Sequence, residues 1–295
     1  MPNNMDEADS RLRRLQLIHW SLGSNTNRLR RMHLPRFQLF EIGDQAWCPN
    51  LLRRGLTDYL AEITLRTHPY ASALPLLRSL LSRLPTRSVL DLCSGSGGPW
   101  PRLLTDLTRT GLPLQLELSD RFPNPDALHR FPSGSAVRYR PGPLPALECS
   151  ASDQAIRTLF SGFHHFSPQE AQRLLAQAAA AGVPIAVFEA THRSLKAVIA
   201  MLVVPMAVLL VTPLIRPVQW WRLLLTYLLP VIPLAAWWDG LVSCLRTYRP
   251  DELAAMTAAI GDGSFQWQIG EVQAPGAALP VTYVIGAPGP CPVAA

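Results

Sequence analysis

Residues 88–98 read SVLDLCSGSGG, and this stretch decides the fold. Its first half is a short apolar run, typical of a strand buried on both faces of a parallel sheet. Its second half consists of small residues, which let the backbone turn sharply and approach a ligand closely. In an open α/β sheet, ligands bind outside the carboxyl ends of the strands. The stretch therefore predicts a strand that ends in a ligand-binding turn.

Two classes of cofactor use a glycine turn of this kind. The dinucleotide fingerprint G-x-G-x-x-G needs a third glycine where this chain, counted from Gly95, has Trp100. A tryptophan there would crowd the start of the helix, where a pyrophosphate binds. The stretch instead resembles the pattern D/E-x-G-x-G-x-G of S-adenosylmethionine (AdoMet) methyltransferases. Asp91, Gly95 and Gly97 are in register with that pattern, and Cys93 replaces its first glycine.

An acidic residue follows the next predicted strand, residues 114–118. Asp120 comes 29 residues after Asp91. A carboxylate has two oxygens, which can accept hydrogen bonds from both hydroxyls of a ribose. An aspartate after a strand is often only a cap or a turn residue, but here the glycine turn lies in register upstream. We therefore expect Asp120 to bind the ribose of the cofactor.

Strands and helices alternate through the middle of the chain. Apolar runs at residues 155–160 and 184–188 predict two more strands, and a helix with a favourable start at Ser167 lies between them. Residues 122–145 are rich in proline and turn residues. This alternation predicts βαβ units and a parallel sheet.

The two ends of the chain have other patterns. Residues 11–20, 51–65 and 72–84 have the apolar spacing of amphipathic helices. Apolar runs at residues 265–272 and 281–285 follow one another without a crossover helix. Parallel neighbours need such a crossover, so we expect these two strands to be antiparallel.

The chain resembles the class I AdoMet-dependent methyltransferases, and within them a bacterial subgroup with a hydrophobic insert near the C-terminus. The resemblance spans roughly residues 40–288. It implies an α/β, Rossmann-like fold with a seven-stranded, mostly parallel sheet and an antiparallel last strand. It also implies an N-terminal helical lid and a hydrophobic helical insert before the last two strands. The matching stretches are residues 89–98, 118–124, 158–166, 238–240 and 243–248.

The resemblance also divides the chain and assigns the cofactor. The expected parts are a helical lid at residues 1–84, an AdoMet-binding core at 85–190, a hydrophobic cap at 191–249, and a last helix with the terminal strand pair at 250–295. Methyltransferases of this class usually have an acid beside the adenine, but residues 143–147 contain none. We therefore expect backbone and apolar contacts to hold the adenine. The predicted cofactor-binding residues are Asp91, Cys93, Ser94, Gly95, Ser96, Gly97, Asp120 and Ser161.

Two adjacent histidines are candidate catalytic residues. His164 and His165 follow the strand whose end borders the methyl-donor pocket in the family that the chain resembles. Histidine titrates near neutral pH and can take a proton from a hydroxyl or an amine. The alternative is that both rings only pack against Phe163 and Phe166. We expect one of the two histidines to have an acid/base or substrate-orienting role.

Asp239 is the third candidate catalytic residue. It lies between Trp238 and Gly240 in an apolar region, where a carboxylate is costly to bury unless it is paired. Arg246, seven residues later, is expected on the same helix face as a structural partner, and contact with substrate or cofactor is the alternative. The loop at residues 44–47 is interpreted either as part of a lid over the cofactor or as an ordinary surface loop.

Composition and charge restrict the class of protein. The chain has 295 residues, of which 48% are apolar and 16% charged, which excludes disorder for most of its length. The net charge is +6, but the arginines are scattered rather than clustered, so no nucleic-acid partner is expected. The five cysteines have no metal-ligand spacing, and the N-terminus has no secretory signal pattern. These features predict a cytoplasmic protein without a metal site.

An uncharged stretch begins after the fifth predicted strand. Residues 197–215 would form a helix of about 28 Å, close to the bilayer core of about 30 Å. The flanking strands must join one sheet, so a spanning chain has to return. The return segment, residues 223–238, is short and broken by Pro230 and Pro233. We expect residues 197–238 to form a cap, either soluble or resting on a membrane surface. A two-span anchor and a homodimer interface are the alternatives.

These expectations define a function. The leading one is methyl transfer from AdoMet to a small apolar or aromatic acceptor molecule, which requires mainly orientation and exclusion of water. One alternative is a membrane-associated methyltransferase that acts on a lipid or an isoprenoid. The other is a module that binds AdoMet or an apolar ligand without catalysis. The sequence leaves open whether the acceptor atom is oxygen, nitrogen, carbon or sulfur.

Overall fold

The computed structural model describes residues 34–84, 87–150, 155–260 and 263–289. The chain divides into two units, residues 1–34 and 35–295, and the features below belong to the second. The amphipathic helix predicted at residues 11–20 lies outside the described residues.

The described residues form one seven-stranded sheet. The strands are β1 (Ser88–Asp91), β2 (Gln115–Leu118), β3 (Val137–Tyr139), β4 (Ile156–Phe160), β5 (Ile185–Glu189), β6 (Phe265–Val272) and β7 (Val281–Pro288). Their order is β3-β2-β1-β4-β5-β7-β6. The pairs among β1 to β5 are parallel, and β7 is antiparallel to both β5 and β6. The predicted sheet, mostly parallel with an antiparallel last strand, is confirmed.

Helices cover both faces of this sheet. They are α1 (Asn50–Thr67), α2 (Leu74–Arg83), α3 (Trp100–Arg109), α4 (Pro168–Ala180), α5 (Leu195–Ala200), α6 (Val204–Val211), α7 (Trp220–Leu223), α8 (Val231–Arg246) and α9 (Pro250–Ala258). Successive side chains of a strand point to opposite faces. In β5, Ala186 and Phe188 therefore join the core under α2 and α3, whereas Ile185 and Val187 join the core under α4.

Strand β3 was not visible in the sequence pattern. The interpretation of residues 122–145 as turns is incomplete, because Val137–Tyr139 pairs in parallel with β2. Three residues are too few to show an alternating pattern, and the flanking segments are rich in proline and glycine. The third strand that the family resemblance implies is thus present.

The hydrophobic segment at residues 191–249, which we call the insert, packs against α1. Leu52 and Leu56 of α1 share one buried cluster with Val208 of α6 and Ile232 of α8. Helix α5, a short 3₁₀ turn, α6 and a second 3₁₀ turn follow one another to form the helical stretch Leu195–Leu214.

The length and hydropathy of Leu195–Leu214 would let it cross a membrane, and 22% of it is buried inside the protein. The helices Trp220–Leu228 and Val231–Arg246 are long and apolar enough to cross a membrane only if they are taken together, and the chain bends by 76° between them. Length and composition alone do not distinguish a spanning helix from a core helix or a surface helix. Whether Leu195–Leu214 spans a membrane is therefore inferred below from the contacts of the insert.

We predict that Gly286 is essential for the packing of the terminal strand pair. It lies opposite Trp267, and a Cβ atom there would be 2.4 Å from the Trp267 ring and 2.5 Å from the Phe265 ring. Gly286→Ala should therefore lower the free energy of unfolding by about 1–3 kcal/mol, as overpacking usually does. Urea denaturation measures this change. Gly142→Ala is the control, since its added Cβ meets no described residue within 4 Å apart from its neighbours in the chain. Equal stability of the two variants would contradict the predicted packing.

Candidate functional site

The turn after β1 has an unusual backbone. Cys93, Gly95 and Gly97 have φ angles of 57°, 49° and 91°, in the left-handed region that favours glycine. Cys93 therefore adopts a glycine-like conformation where the AdoMet-binding pattern has its first glycine. Its side chain fits because the facing residue after β4 is Gly162, where an added Cβ would lie 2.9 Å from the Cys93 Cβ.

Asp91 holds this turn from inside the protein. It is 2% exposed, and its two oxygens accept hydrogen bonds from Thr158 Oγ1 at 2.6 Å and Ser94 Oγ at 2.7 Å. Burial raises the pKa of Asp91 to about 6, against the effect of these hydrogen bonds. Asp91 and Ser94, both predicted to bind the cofactor, thus hydrogen-bond to each other and fix the shape of the turn.

Asp120 lies directly beside the glycine turn. Its Oδ2 accepts a hydrogen bond from the Gly95 amide at 2.9 Å, and its Oδ1 accepts one from the Phe122 amide at 2.8 Å. Burial raises the pKa of Asp120, and the two amide hydrogen bonds oppose that shift. Each carboxylate oxygen has a further lone pair, so the group can still accept from two hydroxyls. Parallel neighbours β1 and β2 bring Asp120 and the turn together at one edge of the sheet.

The two other predicted serines make contacts within the fold. Ser96 Oγ accepts a hydrogen bond from Asn124 Nδ2 at 2.8 Å and lies 2.9 Å from the Asp58 carboxylate of α1. Ser161 Oγ lies 2.6 Å from the Tyr70 hydroxyl and accepts from the Ala190 amide at 3.1 Å. Ser96 therefore joins the glycine turn to α1, and Ser161 joins β4 to β5.

The segment expected to face adenine lies next to Asp120. The Leu144 amide donates a hydrogen bond to the Asp120 carbonyl at 2.9 Å, and Ala146 is buried. Residues 143–147 thus place apolar side chains and backbone groups near the predicted ribose site.

His164 lies between two buried carboxylates. Its Nδ1 donates to Glu189 Oε2 at 2.6 Å, and its Nε2 lies 3.5 Å from Glu41 Oε1. The residue is 2% exposed. Burial opposes the ionisation of Glu189, but the charge and the hydrogen bond of His164 outweigh burial, and the pKa of Glu189 is lowered.

His165 forms the more accessible of the two histidine–carboxylate pairs. Its Nδ1 donates to Asp44 Oδ2 at 2.8 Å, and its side chain is 27% exposed. Burial lowers the pKa of His165, but the charges of Asp44 and Glu41 outweigh burial and raise it to about 10. Burial likewise opposes the ionisation of Asp44, but His165 overcomes it and lowers the pKa of Asp44 to about 2. The pair is an imidazolium and a carboxylate at neutral pH.

The His165–Asp44 pair is close to the cofactor turn. Gly162, which faces Cys93 of the turn, lies two residues before His164, and the centroids of the His164 and His165 rings are 4.3 Å apart. The structure therefore brings the candidate histidines and the candidate cofactor residues into one region.

Arg246 fastens this region together. Its guanidinium donates to the backbone carbonyls of His164 and His165. It also lies 3.5 Å from Glu41 Oε1 and 3.4 Å from Asp44 Oδ2. Arg246 is 4% exposed, so these partners compensate a buried positive charge.

The expected pairing of Asp239 with Arg246 is wrong. Asp239 accepts hydrogen bonds from the backbone amides of Ile42 at 2.6 Å and Gly43 at 3.0 Å. Burial raises the pKa of Asp239 to about 6, against the effect of these two amides. Asp239 thereby fixes the loop that carries Glu41 and Asp44. Although both residues lie on α8, Arg246 instead contacts the backbone after β4.

Three ligating residues approach one another in this cluster. Glu41, His164 and His165 each offer a ligand atom, and these atoms lie within 4.8 Å of one another, a spacing that could hold a metal ion. The guanidinium of Arg246 already supplies positive charge beside Glu41.

Sequence reasoning did not identify Glu41 and Glu189 as site residues. One signal was available for Glu189, because it ends a buried parallel strand next to the predicted site. Glu41 had no comparable signal, since its partners come from segments far away in the chain.

No protein-family model and no curated protein sequence matches the chain. Among solved structures it is similar to magnesium protoporphyrin IX methyltransferase (ChlM) from Synechocystis PCC 6803 with bound SAH, with 10% identity, TM-score 0.42, and 75% of this chain and 84% of that chain covered. It is also similar to the plantazolicin methyltransferase BpumL, with 11% identity and a TM-score of 0.43. That match covers 81% of this chain and 98% of BpumL. A third similar structure is LepI in complex with SAM, with 14% identity and a TM-score of 0.41. That match covers 73% of this chain and 47% of LepI. Likenesses at these scores carry no conclusion about activity, which has to be inferred from this chain's own residues.

We predict that the His165–Asp44 pair makes stability depend on pH. A group whose pKa is raised by folding stabilises fully below its unfolded value and loses that effect as the pH rises through its folded value. The free energy of unfolding should therefore fall between pH 6.5 and about 10, the ordinary and folded values for His165. His165→Gln should flatten this part of the profile, measured by urea denaturation at constant ionic strength.

The matched control is His129→Gln, because His129 is exposed on the surface. We expect this variant to keep the wild-type slope between pH 6.5 and 10. If His165→Gln also keeps the wild-type slope, the ion pair does not contribute to stability as proposed.

Proposed function

We propose that the chain is an AdoMet-dependent methyltransferase that acts on a small apolar or aromatic acceptor. The main support for this proposal is that two features lie side by side at the ends of adjacent strands. These are the left-handed glycine turn after β1 and the Asp120 carboxylate after β2, 2.9 Å from the Gly95 amide. Ligands of open α/β sheets bind at this position, outside the carboxyl ends of the strands.

The residues at this edge fit AdoMet. Asp120 has free lone pairs for the ribose hydroxyls, and the backbone at Gly95 and Gly97 allows close approach of a ligand. The apolar segment at residues 143–147 suits an adenine ring. When bound, AdoMet supplies an electrophilic methyl group on its sulfonium.

The His165–Asp44 pair is the group best suited to hold the acceptor. Asp44 fixes the imidazole through Nδ1, and among the described residues no hydrogen-bond partner contacts Nε2 of His165. Nε2–H can therefore donate a hydrogen bond to the electron-rich substrate atom that accepts the methyl group. Because His165 is positively charged at neutral pH, its role is to orient that atom and to stabilise negative charge on it, rather than to remove its proton. His164, enclosed between Glu189 and Glu41, acts as a positioning residue for its neighbour.

A second candidate function is methyl transfer to a lipid or an isoprenoid at a membrane. One specific observation favours it: the insert next to the site presents a row of exposed aliphatic side chains, described below. A catalytically inactive AdoMet-binding module would bind the cofactor without any turnover, and the experiments below distinguish it.

We predict that Asp120→Asn weakens AdoMet. The loss of hydrogen bonds to a charged group costs about 1.5–3 kcal/mol, which is roughly a 10- to 150-fold loss of affinity. Isothermal titration calorimetry measures the affinity, and thermal unfolding checks the fold. Asp106→Asn on α3 is the control, because Asp106 pairs with Arg102 at the surface. Unchanged AdoMet affinity in a folded Asp120→Asn protein contradicts the assignment, and so does tight binding of NAD with no binding of AdoMet.

We predict that His165→Gln affects turnover more than cofactor binding. The assay follows the transfer of tritium from methyl-labelled AdoMet to small molecules in a cell extract. The rate should fall by about 10²–10³-fold, the usual cost of removing one hydrogen-bond donor that stabilises developing charge, while AdoMet affinity stays within threefold. His129→Gln should keep full activity. Full activity of His165→Gln would limit this histidine to packing, and AdoMet binding without label transfer by the wild type would favour the inactive module.

A further inference from the structure

One side of the helical stretch Leu195–Leu214 is apolar and open to solvent. Its large exposed apolar residues recur at every third or fourth position, the spacing that places side chains on one side of a helix. Besides Lys196 and Pro213, its exposed residues are seven large apolar side chains between 44% and 67% exposed. We call these seven the outer face: Leu195, Ile199, Leu202, Val203, Met206, Leu210 and Leu214.

The opposite side of the same stretch is buried in the protein. Ala197, Val208, Val211 and Thr212 are each at most 7% exposed. Apart from Lys196 and Thr212 the stretch is therefore apolar on all sides, and the described part of the chain covers only one of them. A helix that is hydrophobic on all sides is normally buried completely or placed in lipid. Soluble monomers rarely expose apolar patches of more than a few hundred Å², so the outer face is expected to have a partner.

The exposed apolar surface continues beyond this stretch. Trp220 is 74% exposed at the start of α7, and the bent segment after it exposes Leu228 at 73% and Leu229 at 51%. Tryptophan is enriched at the interface between lipid and water. The outer face and this segment together give the insert an aliphatic surface with an aromatic residue beside it.

Charge favours an anionic lipid surface over a second copy of the chain. Residues 194–238 contain no acidic residue. Lys196 and Arg216, at the two ends of the outer face, are exposed. Two such faces would bring like charges together in a dimer, whereas anionic headgroups attract each basic residue near the membrane surface.

The contacts of Arg222 argue against a membrane-spanning hairpin. In the chain, Arg222 lies between the two apolar segments of the insert, residues 197–215 and 223–238. Its side chain is 4% exposed and donates to Asp58 Oδ2 of α1 at 2.6 Å. Asp58 in turn lies 2.9 Å from Ser96 of the glycine turn. The part of the insert that a span would carry across the bilayer is thus bound to the globular part of the protein.

We propose that the outer face rests on an anionic lipid bilayer as a surface-bound helix, with its long axis in the plane of the membrane. Helices of this type bury one apolar face at the boundary between headgroups and acyl chains. The proposal does not depend on the proposed methyl transfer, and AdoMet binding by the same preparations tests that function separately.

The test uses flotation of the full chain with vesicles of phosphatidylcholine that contain about one third phosphatidylglycerol. The wild type should float, and the double variant Leu202→Glu/Leu210→Glu should partition at least tenfold less. Both residues are more than 60% exposed, so neither substitution opens the core. Leu128→Glu, at a 38% exposed leucine outside the insert, is the matched control and should float as the wild type does. Circular dichroism and thermal unfolding verify the fold of each variant.

Three results would overturn the proposal. The first is a folded double variant that floats as well as the wild type. The second is a wild type that ignores vesicles but elutes as a dimer, with the double variant eluting as a monomer, because that result assigns the outer face to a second copy. The third is wild-type protein that stays with vesicles after a carbonate wash, because that result indicates a segment inserted in the bilayer core rather than a helix bound at its surface. Release by carbonate, with loss of flotation in the double variant, supports a surface-bound helix.

Discussion

The buried guanidinium of Arg246 is the interaction on which the rest of the site depends. A positive charge at 4% exposure is stable only if several partners surround it. Its partners are the carbonyls of His164 and His165 and the carboxylates of Glu41 and Asp44. These groups come from the loop before α1 and from the turn after β4. One side chain of α8 thereby joins two segments, one of which lies 205 residues away from it in the chain.

A second buried arginine fixes the other part of the insert. Arg222 pairs with Asp58 of α1, and Asp58 also lies beside Ser96 of the glycine turn. The hydrophobic insert is consequently bonded to the candidate catalytic cluster through Arg246 and to the candidate cofactor turn through Arg222. A displacement of the insert would disturb both regions, because a buried charge that loses its partner is strongly destabilising.

Local sequence patterns predicted the parts of the site that short segments determine. The turn after β1 and the carboxylate of Asp120 follow from an apolar strand, small residues and an acid within about 30 positions. The pairs Asp44–His165 and Asp239–Gly43 join residues 121 and 196 positions apart, and no local period encodes such contacts. Helix spacing suggested Arg246 as the partner of Asp239, but spacing on a helix does not say which neighbouring segment each side chain meets.

The insert combines two surfaces that a soluble lid would not need together. Its inner side carries the ion pairs of Arg222 and Arg246, which only a fixed position on the globular core can satisfy. Its outer side leaves seven large aliphatic side chains in water, although exposure of each costs free energy in proportion to its area. Packing on the core explains the inner side completely and leaves the outer side without a physical reason. An apolar phase outside the protein supplies that reason, and the inner ion pairs then hold the candidate active site at a fixed distance from it.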